Sequence, residues 1–184
     1  MKCFLRAIVL VYIFFIASPE CIASNISLAE DTAVLSAIVA DRCQYAATHP
    51  DKGKYTVLSA QASVIDSAPY GRDLDTGAVE SLYLRNKTAH DLPALTLCPA
   101  YKLVPLIKIE AAMGKGGWPS FYRAFPKASG ISYLSLPGYS ADGTVAIVEV
   151  SGSCDELCGS GFYWVMLKVE GKWTVQRSIS AWIS

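Results

Sequence analysis

The chain has 184 residues, with 16 basic and 16 acidic side chains and a formal charge of zero. There is no basic surplus to neutralise a phosphate backbone, so nucleic-acid binding is not expected. No acidic tail or basic run points to a membrane surface or a charged polymer.

Met1, Lys2 and Arg6 make a basic start, and an apolar run follows from Ala7 to Ala17. Pro19 breaks it, and Cys21-Ile22-Ala23 offers small residues before Ser24. This is the layout of a secretory signal peptide over 1–23. The run has 11 residues, against about 20 for a helix that crosses a bilayer, so no retained anchor is expected. Pro19-Glu20 is a poor context for lipidation of Cys21. The chain after the signal, 24–184, has 161 residues with 14 basic and 15 acidic side chains. That length suits a single domain able to bury about two thirds of its surface. No stable membrane insertion is expected of it, and its oligomeric state is open.

Four cysteines stay in that chain: Cys43, Cys98, Cys154 and Cys158. An even count in an exported chain reads as disulfides. Of the three possible pairings, Cys154–Cys158 with Cys43–Cys98 is favoured, because Cys154 and Cys158 share one Gly-rich loop.

Ser27-Leu28-Ala29-Glu30 reads as a capping box, and Asp31 adds negative charge at the helix start. Leu35, Ile38, Val39 and Arg42 follow at helical spacing, then Cys43 and Ala46. The spacing predicts a helix over 28–47, ended by His49-Pro50-Asp51. Tyr55 to Ile65 is β-branched and partly alternating, as a strand would be. A loop over 66–76 holds the breakers Pro69 and Gly71, and 77–93 carries a helical pattern. Residues 101–110 predict a strand that Pro105 would confine to a sheet edge. Gly114-Lys115-Gly116-Gly117 is a link, and Trp118 to Phe125 reads as a short aromatic helix.

Four strands follow: 131–136, 144–150, 162–169 and 173–183. Turn signals separate them, of which Glu170-Gly171 suits a two-residue hairpin. The order predicts an α+β fold, with an N-terminal helix and short helices on one face of a curled antiparallel C-terminal meander.

The loop Ser151 to Gly161 combines two cysteines, two carboxylates and three glycines. A disulfide would stiffen it and present Asp155, Glu156 and Leu157 at a hairpin tip, where a rigid exposed tip binds at low ordering cost. Its C-x3-C spacing is not the C-x-x-C of thioredoxin-like sites. Metal binding is not expected: His49 and His90 are the only histidines, 41 residues apart, and neither H-E-x-x-H nor a cysteine cluster surrounds them. No cofactor is expected, since Gly114 to Gly117 lacks the Walker spacing. Gly138-Tyr139-Ser140-Ala141-Asp142 falls short of G-x-S-x-G. The aromatics Trp118, Phe121, Tyr122, Phe125, Trp164, Trp173 and Trp182 are expected in the core. Asn25-Ile26-Ser27 and Asn86-Lys87-Thr88 are glycosylation sequons.

The segment Trp118 to Ser184 resembles a group of uncharacterised exported bacterial proteins. The likeness lies in WPSFYRAFPKASG, ISYLSLPGYSADGTVAIVEV, CDELCGSGFYWVMLKVEGKW and the closing AWIS. That group has no established activity, so the resemblance implies export but transfers no functional residue. The helix-then-meander order is also similar to NTF2-like and cystatin-like folds, and a fold does not give a function.

These observations lead to an exported, periplasmic or secreted binding module. It would recognise a protein or an envelope component, as an inhibitor or immunity-type partner does, through Asp155, Glu156 and Leu157. The alternatives are a small secreted hydrolase drawing on His90, Asp91 and Ser140, and a purely structural envelope protein.

Overall fold

The structure, a computed structural model, describes residues 28–49, 54–67 and 73–184. The expected signal segment, Asn25, the Ser27 half of the capping box, Pro50-Asp51 and the breakers Pro69 and Gly71 lie outside the described residues.

Helix α1 spans Leu28–Thr48. Val34, Leu35, Ile38 and Val39 form its buried stripe, the spacing of one helical face. Strand β1 is Tyr55–Ser59. Helix α2, Thr76–Arg85, starts at Asp75, whose side chain accepts from the Ala78 amide at 2.8 Å, a standard cap of an orphan donor. Strand β2, Tyr101–Val104, runs into α3, Leu106–Met113, with Pro105 capping the helix. A 3-10 turn at Gly114–Gly116 leads to α4, Gly117–Ala124. Then come β3 (Ala128–Leu134), β4 (Gly138–Tyr139), β5 (Val145–Asp155), β6 (Cys158–Val169) and β7 (Lys172–Ile183).

The fold is α+β, with an open seven-stranded sheet in the order β2-β1-β3-β5-β6-β7 and β4 paired to β5. β5, β6 and β7 form the expected antiparallel meander. The β6–β7 turn carries positive φ at both Glu170 and Gly171, as a type I′ hairpin requires. β2 lies at the sheet edge, but the strand read over 101–110 ends at Val104, where Pro105 opens α3; β2 pairs parallel to β1, and β1 pairs parallel to β3. The sheet is therefore mixed rather than antiparallel throughout. The strand read through Ile65 ends at Ser59, and the helix read through 93 ends at Arg85.

Helices cover both faces of the sheet, not one. Ala146, Val148, Val150 and Met166 pack with the α1 stripe, while Ile147 and Val165 pack with Ala78 and Leu82 of α2. Val57 and Ile131 pack with Ile109 and Phe121 of α3 and α4. The reason is in β5 itself: VAIVEV is apolar on both sides of the pleat, the pattern of a strand buried on both faces. α2 comes so close to β4 that a Cβ at Gly138 would lie 2.2 Å from the Leu82 amide nitrogen, so only glycine fits there.

The sheet also curls, as expected. The Arg42 guanidinium carbon of α1 is 5.9 Å from the Tyr101 ring on β2 and 5.8 Å from the Trp164 ring on β6. Those strands are four places apart, about 19 Å in a flat sheet. One side chain reaches both rings because the sheet wraps around α1. The Cys43–Cys98 disulfide, with Cα atoms 6.1 Å apart, ties α1 to the segment that enters β2.

Candidate functional site

The end of the sheet beyond α1 carries the stapled hairpin. β5 and β6 pair as far as Asp155 opposite Cys158, with a register slip between Ser153 and Asp155. The slip is a bulge that takes Cys154 out of the ladder, and Cys154 bonds to Cys158 with Cα atoms 5.2 Å apart. Both favoured disulfides are thus present. The base of the hairpin is anchored from two sides. Tyr122 of α4 donates its hydroxyl to the Cys154 carbonyl at 2.5 Å, and its phenol is pushed up by burial and by nearby Asp155. A Cβ at Gly130 would lie 2.5 Å from the Ser153 carbonyl, so β3 presses directly on the hairpin. The tip is Glu156-Leu157, with Leu157 88% exposed. The Asp155 carboxylate accepts from the Glu156 amide at 2.8 Å and shapes the turn. Asp155, Glu156 and Leu157 are all exposed.

Beside this hairpin, on the α1 face, lies an open groove of about 460 Å³. Small residues line much of it, Gly130 and Ser132 of β3, Gly152 of β5 and Ser160 of β6, beside the larger Val150 and Phe162. Cys154 and Cys158 also line it, as does Arg42 from α1. The Arg42 Nε donates to the Tyr101 hydroxyl at 2.8 Å, and the two aromatic rings flank the guanidinium. Among the described residues Arg42 is the one charged side chain that lines the groove. Sequence reading placed Arg42 only on the helix stripe and missed the groove. The signal was a cation in helical register with Leu35, Ile38 and Val39.

A second polar cluster is buried at the other end of α1. Asp31 is 5% exposed and takes Arg85 at 3.0 and 2.8 Å and the Tyr139 hydroxyl at 3.0 Å. Burial, then the Asp31 charge, pushes the Tyr139 phenol far up. Glu30 accepts from Lys168 and from the Trp173 indole, both at 2.7 Å, and these bonds hold its carboxyl below the ordinary value. Every one of these groups is spent on a neighbour, so the cluster orients α1 on the sheet.

The remaining candidates do not assemble. The Ser140 hydroxyl donates to Asp142 at 2.6 Å and accepts from the Val145 amide at 2.9 Å, so it builds a turn. His90 is exposed and bonds Thr88 at 3.1 Å, and Asp91 forms a bridge with Gln61. None of these bonds joins Ser140, His90 and Asp91 to one another. The described residues hold no group of three or more His, Cys, Asp or Glu suited to a metal, and no described helix is long and apolar enough to cross a membrane. Asn86 of the second sequon is fully buried. Its amide donates to the Leu82 and Leu136 carbonyls and accepts from the Leu136 amide, so the folded chain does not offer it for glycosylation. Phe121 and Trp173 are core residues as expected, but Trp182 is 41% exposed and lies over Gly161. No known family model matches the chain, and no curated protein or solved structure is significantly similar to it.

Proposed function

We propose that this chain is an exported binding module whose contact surface is the stapled end of the sheet. The observation that carries the reading is the hairpin tip: a disulfide and the Tyr122 bond fix its base, while Asp155, Glu156 and Leu157 project into solvent. Such a tip loses little conformational entropy on association. An exposed leucine between ordered strands, flanked by two carboxylates, suits a partner with an apolar notch rimmed by basic groups. Export is supported by the two disulfides, which form and persist in oxidising compartments, and by the basic-then-apolar start of the sequence.

The test is capture of a protein or envelope component from envelope and culture extracts by the disulfide-bonded protein. Asp155→Lys with Glu156→Lys should abolish capture and leave the melting temperature unchanged. Cys154→Ser with Cys158→Ser should weaken it. Capture that is the same with all forms would refute the tip as the contact surface.

A further inference from the structure

The groove beside the tip has a chemistry of its own, and we propose that it binds a ligand through a carboxylate held by Arg42. The inference deepens the binding-module reading by assigning that end of the sheet a second, chemically defined subsite. Arg42 is held in place before any ligand arrives. Its Nε is committed to the Tyr101 hydroxyl, and its plane is flanked by the Tyr101 and Trp164 rings. Its two terminal nitrogens have no ion pair or hydrogen bond among the described residues. Guanidinium presents those nitrogens as a planar fork that matches a carboxylate in two parallel bonds.

The surroundings favour an acceptor. No Asp or Glu side chain of the described residues lines the groove. Gly130, Ser132, Gly152 and Ser160 leave backbone near the groove, and Val150 and Phe162 add apolar wall. A volume of about 460 Å³ falls in the range of small-molecule sites. The ligand is therefore a small organic acid, or the free terminus of a short peptide. The shared chemistry is the carboxylate.

The experiment is a nitrogen–proton correlation titration of the labelled, disulfide-bonded protein with three probes: N-acetyl-alanyl-alanine, its C-terminal amide, and acetate. The acid should give saturable shifts at the Gly130, Ser132 and Gly152 amides, and the amide should bind at least about tenfold more weakly, the loss of a charged hydrogen bond. Arg42→Lys keeps the charge and loses the fork, so its affinity should fall about tenfold. Arg42→Gln should abolish the shifts. Should Arg42→Gln unfold, the lysine form carries the test, with its melting curve checked first. Acetate binding as tightly as the dipeptide acid assigns the site to small acids, and binding of the dipeptide acid alone assigns it to a chain terminus. Equal binding of acid and amide, no saturable shift at these amides with any probe, or wild-type affinity in Arg42→Gln overturns the proposal. The tip variants Asp155→Lys and Glu156→Lys should bind the probes like the wild type. A failed groove and a failed tip are thus told apart.

Discussion

Removing the Asp31 carboxylate should cost this protein a large part of its stability, and the structure says how much. Asp31 is 5% exposed and receives three hydrogen bonds, two from Arg85 and one from Tyr139. In Asp31→Asn the Arg85 guanidinium keeps its charge, and its side chain is 23% exposed. Stripping one partner from a buried ion pair costs about 3–5 kcal/mol, mostly the desolvation of the charge left behind. The partial exposure of Arg85 puts the expected loss near the lower end, about 3 kcal/mol. For a chain of this size that is a fall of roughly 6–12 °C in melting temperature. The double variant Asp31→Leu/Arg85→Met removes both charges and should cost much less than the sum of Asp31→Leu and Arg85→Met. Urea unfolding at pH 7, followed by tryptophan fluorescence, measures all four forms at constant slope. A loss below about 1 kcal/mol for Asp31→Asn, or a double variant that costs the full sum, would refute the claim that the pair is a coupled buried unit.

Cys43→Ser with Cys98→Ser opens a closure of 55 residues, and the loop-entropy relation gives a loss of about 4 kcal/mol; a urea midpoint unchanged from wild type would contradict it. Asn86→Ala leaves the Leu136 amide and two carbonyls without their partner, and should cost about 2 kcal/mol or more in the same assay. Glu149 is half-buried, and burial raises its carboxyl above the ordinary 4.5 while the Trp182 indole partly offsets that. The folded state therefore holds the proton more tightly than the unfolded one, so stability falls as pH rises from about 4.5 through the folded value. Glu149→Gln should then match the wild type at pH 4 and exceed it at pH 7; equal stability at both would count against it. Glu30 works in the opposite direction: its lowered carboxyl contributes stability that is present above pH 4.5 and lost as pH falls through the folded value. Glu30→Gln should differ from wild type at pH 7 and converge with it toward pH 2.

Much of the fold was legible because the relevant signals are local. The α1 stripe, the turn residues Glu170-Gly171 and the pairing of Cys154 with Cys158 each lie within a few residues of chain, where period and turn chemistry act. Pro105 was read as a proline inside an edge strand over 101–110, but it ends β2 at Val104 and starts α3, the place a residue with fixed φ and no N–H takes at a helix start. The parallel pairing of β1 with β2 and β3 was not legible, because it depends on where two crossovers land. The second helical layer had a local sign that went unread. VAIVEV in β5 lacks the polar alternation of a half-exposed strand, and helices on one face alone would have left Ile147 and Val165 uncovered.

The hairpin tip and the groove differ in the same way. Asp155, Glu156 and Leu157 could be named from the sequence because two cysteines four residues apart define their own loop. The groove is assembled from α1, β3, β5 and β6, and Arg42 meets Tyr101 from 59 residues away. Yet Arg42 falls on the same stripe as Leu35, Ile38 and Val39, and a cation on an apolar face must either snorkel to water or find partners. The curl of the sheet supplies those partners, the Tyr101 ring with its hydroxyl and the Trp164 ring, but no carboxylate among the described residues. Structural arginines at buried positions are ordinarily neutralised, as Arg85 is by Asp31 at the other end of the same helix. The contrast between the two arginines is the argument for function: one charge is closed off inside the fold, and the other is held open toward a groove.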